Sequence, residues 1–76
     1  EIPKQVSELA NSNGYNSVVL SASSPEGSIY SVGCVDGNGF ELPVGLPAFI
    51  LFDGRSCRLM DGEEGLALSS RLFGDE

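Results

Sequence analysis

Short apolar segments alternate along this chain with clusters of Gly, Ser, Asn, Asp and Pro, and that punctuation divides it into elements. Over residues 3–13 (PKQVSELANSN), Val6, Leu9 and Ala10 recur at helical spacing, with Ile2 one turn earlier. Pro3 suits the first helical position, where its missing N–H would be unpaired in any case. Gly14 can take the left-handed conformation that ends a helix. Residues 16–23 (NSVVLSAS) and 28–35 (SIYSVGCV) then read as two strands joined by the turn residues Ser24, Pro25, Glu26 and Gly27. Alternation puts Val18, Leu20 and Ala22 on one face of the first strand, and Tyr30, Val32 and Cys34 on one face of the second. The opposite faces, with Ser17, Val19 and Ser21 and then Ile29, Ser31, Gly33 and Val35, are only half polar. They predict a second surface for a partner to cover.

Asp36, Gly37, Asn38 and Gly39 accept a tight turn, after which Phe40, Glu41 and Leu42 form a short extended piece halted by Pro43. Ala48, Phe49, Ile50, Leu51 and Phe52 are apolar on both faces, the pattern of a central strand covered on both sides. Asp53 and Gly54 signal a hairpin into Arg55–Met60, where Cys57 and Leu59 point one way and Ser56, Arg58 and Met60 the other. Asp61 with Glu64 resembles a capping box and starts a helix over 62–73. There Leu66, Leu68, Leu72 and Phe73 flank Gly65 and Ser69, a groove of small residues that lets a helix lie close on a sheet. The order helix-β-β-(β)-β-β-helix predicts one α+β domain over residues 1–76: two layers, with a mostly antiparallel sheet.

Composition bounds that picture. Of the 76 residues, 41% are hydrophobic and 20% charged, enough apolar material for one core and too little for two. A domain this small buries only about 60% of its unfolded surface, so self-association or a disulfide would supplement its core. The longest apolar run, Ala48–Phe52, falls far short of the roughly 20 residues that cross a bilayer, so no membrane partner is expected. The chain opens on Glu without a charged-then-apolar leader, as a trimmed or processed chain would. Four basic against eleven acidic residues give a net charge of −7, which opposes binding to nucleic acid. The acids are scattered through turns and termini, which suits solubility better than mimicry of a nucleic-acid charge stripe.

The stretch VGLPAFILFDGRSCRLMDGEEGLALSSRL, residues 44–72, resembles the C-terminal half of the thioredoxin fold. Gly45, Leu46 and Pro47, the strand to Phe52, Gly54 and Gly62 stand where that family has a Gly-apolar-Pro step, an apolar strand, a hairpin glycine and a glycine before the last helix. The resemblance implies a cis Leu46–Pro47 peptide. The family's Cys-x-x-Cys is absent and residues 16–32 do not resemble its N-terminal half, so no redox activity is implied.

Candidate chemistry is sparse. Cys34 and Cys57 fall on core-facing strand positions as small hydrophobes, with a disulfide stapling the two hairpins as the alternative. Two thiols without histidine do not complete the usual zinc shell, and no cofactor is expected. The absence of histidine also removes Ser-His-Asp and Cys-His arrangements. Catalysis would rest on carboxylates such as Asp36, Glu41, Asp53 and Asp61, three of which directly precede glycine, where Asp serves turns. The glycines of DGNG do not extend to a phosphate cradle or a calcium loop. Phe40 and Tyr15 are expected to be partly exposed contact residues, while Arg55 and Arg58 guard an edge strand. The leading expectation is a non-enzymatic protein-interaction or structural module. It would engage a protein partner or a second copy through the outer face carrying Val19, Ile29 and Val35. An acidic inhibitor or immunity-type protein on a basic partner surface is the alternative, and a carboxylate enzyme the third.

Overall fold

The computed structural model describes residues 2–43 and 45–74. Helix α1 (Lys4–Ser12) is followed by strands β1 (Ser17–Ser24), β2 (Gly27–Val35), β3 (Glu41–Leu42), β4 (Ala48–Phe52) and β5 (Cys57–Met60), then by helix α2 (Gly62–Phe73). The main sheet runs β1-β2-β4-β5, and β3 pairs with the far end of β2; all four pairings are antiparallel. The α+β class, the element order and the mostly antiparallel sheet are those the sequence predicts.

Pro3 stands one position outside α1, its carbonyl accepting from Val6 and Ser7 N–H. At the other end Tyr15 N–H reaches the Ala10 carbonyl and Gly14 N–H that of Asn11, the paired bonds of a Schellman stop. Gly14 supplies the positive φ, 87°, on which that stop depends. The same joint continues into the sheet: the Asn16 side-chain amide donates to the Val35 carbonyl and accepts from its N–H, extending the β1–β2 ladder by one peptide-like unit.

The alternation within β4 decides the layers. Ala48 and Ile50 are buried with Val6 and Ala10 of α1 and with Tyr30 and Val32 of β2. Phe49 is buried on the other side with Ile29 of β2 and Leu68 of α2. The two helices therefore lie on opposite faces of the sheet, which the two-layer expectation did not include. Fully burying side chains such as Phe49 and Ile50 contributes about 1.5–3 kcal/mol each. A helix on one face alone would have left half of β4 in water.

Three local expectations are corrected. Register shifts between Leu20 and Ala22, so Ala22 stands opposite Ile29 and packs on the α2 side. An extra residue in one strand reverses the facing of everything beyond it, and no period-2 reading detects that. Asp61 precedes α2, but its side chain makes no capping hydrogen bond among the described residues, and Glu64 turns instead to Arg58. Finally, Leu46–Pro47 is trans, since the described residues contain no cis peptide. The trans form is the favoured one for X-Pro by about 0.5–1 kcal/mol, and the punctuation of residues 44–72 does not overcome it.

Helix α2 reaches the sheet through Gly65, as its row of small residues implies. A Cβ at Gly65 would overlap the Pro47 carbonyl oxygen and stand 2.8 Å from that of Met60. Both obstacles are backbone and cannot rotate away. Helix propensity alone would make Gly65→Ala stabilising by about 1 kcal/mol. The close approach predicts the reverse, a net loss of about 1–3 kcal/mol in denaturant unfolding at unchanged slope.

Candidate functional site

The strand register separates the groups that sequence reasoning singled out. Asp53 follows β4 at the end where Phe52 pairs with Ser28, whereas Asp36 follows Val35 at the opposite end of β2. The length of β2 keeps those two carboxylates about 25 Å apart. Asp36 Oδ1 accepts from the N–H of Asn38 and Phe40 at 2.8 and 3.0 Å. Asp53 Oδ1 accepts from the N–H of Arg55 and Ser56, both at 2.8 Å. Each carboxylate thus closes its own turn. No group of three metal-ligating side chains converges among the described residues.

The thiols are separated by the same register. Cys57 pairs with Phe52 and through it with Ser28, six residues along β2 from Cys34. That spacing is about 20 Å, well beyond the roughly 7 Å limit on Cα separation for a disulfide. Both thiols are free and half-buried, so the staple is excluded; Cys57 packs against the α1-side core as a small hydrophobe, whereas Cys34 borders the open depression. Cys34 Sγ donates to the Gly14 carbonyl at 3.4 Å, tying the end of α1 to β2. Burial pushes the Cys57 thiol above its usual range, and the neighbouring Asp53 carboxylate adds to the effect.

The α2-side face is asymmetric. Beside α2, Arg58 Nη1 donates to Glu64 Oε2 at 2.6 Å, and Arg71 borders a depression of about 230 Å³ that runs from Ser24 and Glu26 at the β1–β2 hairpin to Arg58 and Met60 of β5. Leu66 and Phe73 stand about 200° around the helix from Glu64 and Arg71, and both are exposed. A second depression of about 220 Å³ is lined by Ser17, Val19, Ser31, Gly33, Glu41 and Leu42 among others, at the point where β2 changes partner from β4 to β3.

Of the three residues predicted on that face, Ile29 is 5% exposed beneath α2, Val35 is half-buried, and Val19 is 60% exposed. The face is thus divided by the chain's own helix. Phe40 is 70% exposed, as its place beside a turn implies, while Tyr15 is half-buried against the α1 core. β5 is an edge strand flanked and occupied by Arg55 and Arg58, in keeping with a guard against unwanted pairing. The helical wheel assigns Leu66 and Phe73 to one broad apolar face with Leu68 and Leu72. Only the strip through Gly65, Leu68 and Leu72 meets the sheet. An apolar face wider than one strip is the sequence signal for that surplus.

No protein-family model, curated protein or solved structure matches the chain.

Two outcomes follow for the polar groups. Backbone N–H bonds from Ser56 and Arg55 hold the Asp53 carboxyl below its usual range. A lowered carboxyl supports the fold above its unfolded value, and that support is lost as pH falls through the folded value. The stability gap between wild type and Asp53→Asn is therefore expected to close below about pH 4 in melts run from pH 7 to 3. For the thiols, mass spectrometry without reductant is expected to show both unbridged. Alkylation of Cys57 should rise only at higher pH than that of an ordinary thiol.

Proposed function

We propose that this chain is a non-enzymatic protein-interaction module, contacting its partner where α2 leaves the sheet open. What supports the reading is the clustering of exposed apolar side chains there. Val19 and Leu42, both exposed, border the uncovered depression, and α2 carries two further exposed apolar side chains, Leu66 and Phe73. Single exposed apolar residues are ordinary on a protein surface, whereas a run of them around a concavity marks a contact site. The polar floor of Ser17, Ser31 and Gly33 gives such a partner hydrogen-bonding groups within an apolar rim.

The experiment is affinity capture from an extract of the cells that make the protein, with wild type and the double variant Leu66→Ser, Phe73→Ser as baits. Both positions are exposed, so the variant is expected to melt within a few degrees of wild type. A protein retained by wild type and lost by the variant supports the reading, and identical captures by both baits overturn it. The acidic-inhibitor alternative has a different signature. Its partner would leave both baits together when salt is raised to about 0.5 M, because screening and not apolar contact would govern it.

A further inference from the structure

Val19 and Leu20 are neighbours in β1, and they are 60% and 55% exposed. Successive strand residues point to opposite faces, so the two side chains project from opposite sides of the sheet. Val19 lies on the α2 side, in register with Ser31 and Phe49, and Leu20 on the α1 side, in register with Tyr30 and Ile50. A helix, peptide or ligand docking on one face would cover one of them and leave the other in water. A strand added alongside β1 gives both a cross-strand neighbour at once.

The two edges of the sheet differ in the way this requires. β5 is four residues long and includes Arg58, whereas α1 packs against both edge strands alike. β1 is eight residues long, SVVLSASS, and carries no ionisable side chain and no proline. Among the described residues it pairs on one side only, with β2. Of the usual protections of an edge, β1 lacks charge, proline and shortness; it keeps a bulge at Ser21 and contact with α1 on one face. Its bulge lies beyond Leu20, leaving Ser17–Leu20 regular.

We propose that two copies of this chain pair antiparallel through β1, in a register centred on Val19, to form one continuous eight-stranded sheet. This rests on the interaction-module reading and shares Val19 with the surface proposed there. A twofold axis normal to the sheet keeps each face on its own side. It sets Val19 against Val19 of the second copy on the α2 side, and Leu20 against Val18 of the second copy on the α1 side. The occupant is argued from charge. A chain of net charge −7 has few surfaces that can meet their own copy without like charges facing each other, and β1 is one. In this register Glu26, at the tip of the hairpin, lies beside the uncharged connection 12–16 of the second copy and not beside its own counterpart. The regular part of this pairing is Val18–Leu20, because Ser17 falls opposite the bulged Ser21 of the second copy, so it buries less than the ~1,200 Å² of a standard interface and the dimer is weak.

Sedimentation equilibrium from about 10 µM to 1 mM, with hydrogen exchange at both ends of the range, tests this. The expected result is a monomer–dimer equilibrium in which protection of backbone amides rises with concentration within Ser17–Ser24. Association is expected to tighten severalfold between about 0.05 and 0.5 M salt, because screening relieves the repulsion between two acidic copies. Val19→Lys is expected to weaken the dimer at least tenfold, although it lowers the net negative charge. Ala67→Lys, at an exposed position on the Glu64 and Arg71 side of α2, makes the same charge change and should not weaken it. A strict monomer at 1 mM overturns the proposal, as does concentration-dependent protection confined to α2. Tightening on removal of salt, the signature of a basic heterologous strand, also overturns it. Should Val19→Lys fail to fold, the wild-type exchange map decides alone. Loss of the dimer with capture through Leu66 and Phe73 intact would leave the interaction-module reading standing.

Discussion

The molecule is organised by the need to keep water off both faces of one strand. Ala48–Phe52 has no polar position, so neither orientation of β4 offers a side that can face solvent. The chain owns two helices, and each is committed to one face, α1 by Val6 and Ala10 and α2 by Gly65 and Leu68. Placing both on one face would double-cover half of β4 and expose the rest. In a domain that buries so modest a share of its surface, that loss would rival the whole folding free energy.

What the helices cannot reach follows from the same constraint. Helix α1 spans its face from β1 to β5, whereas α2 meets mainly β4, so the uncovered part of the sheet lies on the α2 side. β5 closes its edge with arginine, and Arg58 also reaches α2 through Glu64. That ion pair is solvent-exposed and adds little stability, but it marks the flank of α2 that is charged. The opposite flank carries the exposed Leu66 and Phe73, and β1 runs uncharged along its length. The acids belong to a different economy: Asp36 and Asp53 organise turns at opposite ends of the sheet, where their carboxylates satisfy N–H groups that would otherwise have only water.

Much of this was legible in the residues because it is local. The helical spacing of Val6 and Ala10, the unbroken apolar run of β4, the Gly14 stop and the span of α2 each depend on neighbours along the chain. Periodicity and turn chemistry report such neighbours directly. The core-facing positions of Cys57, Leu59 and Tyr30 followed from alternation for the same reason. The surface was less legible. Phe40 could be placed in solvent from its turn, but Leu20 read as core, because a period-2 pattern does not say whether a strand lies at the centre or the edge of its sheet.

By itself, then, the sequence determined which segments fold into which elements, and that one strand must be central. Only the tertiary structure decided that the helices take opposite faces, that Ser21 bulges and turns Ala22 over, that Cys34 and Cys57 stand six residues apart along a ladder, and that β1 is an edge. Each of these is a relation between segments distant in the chain, set by strand register and by competition for a limited apolar surface. A residue's type and spacing fix what it can bury; which neighbour buries it is settled when the whole sheet assembles.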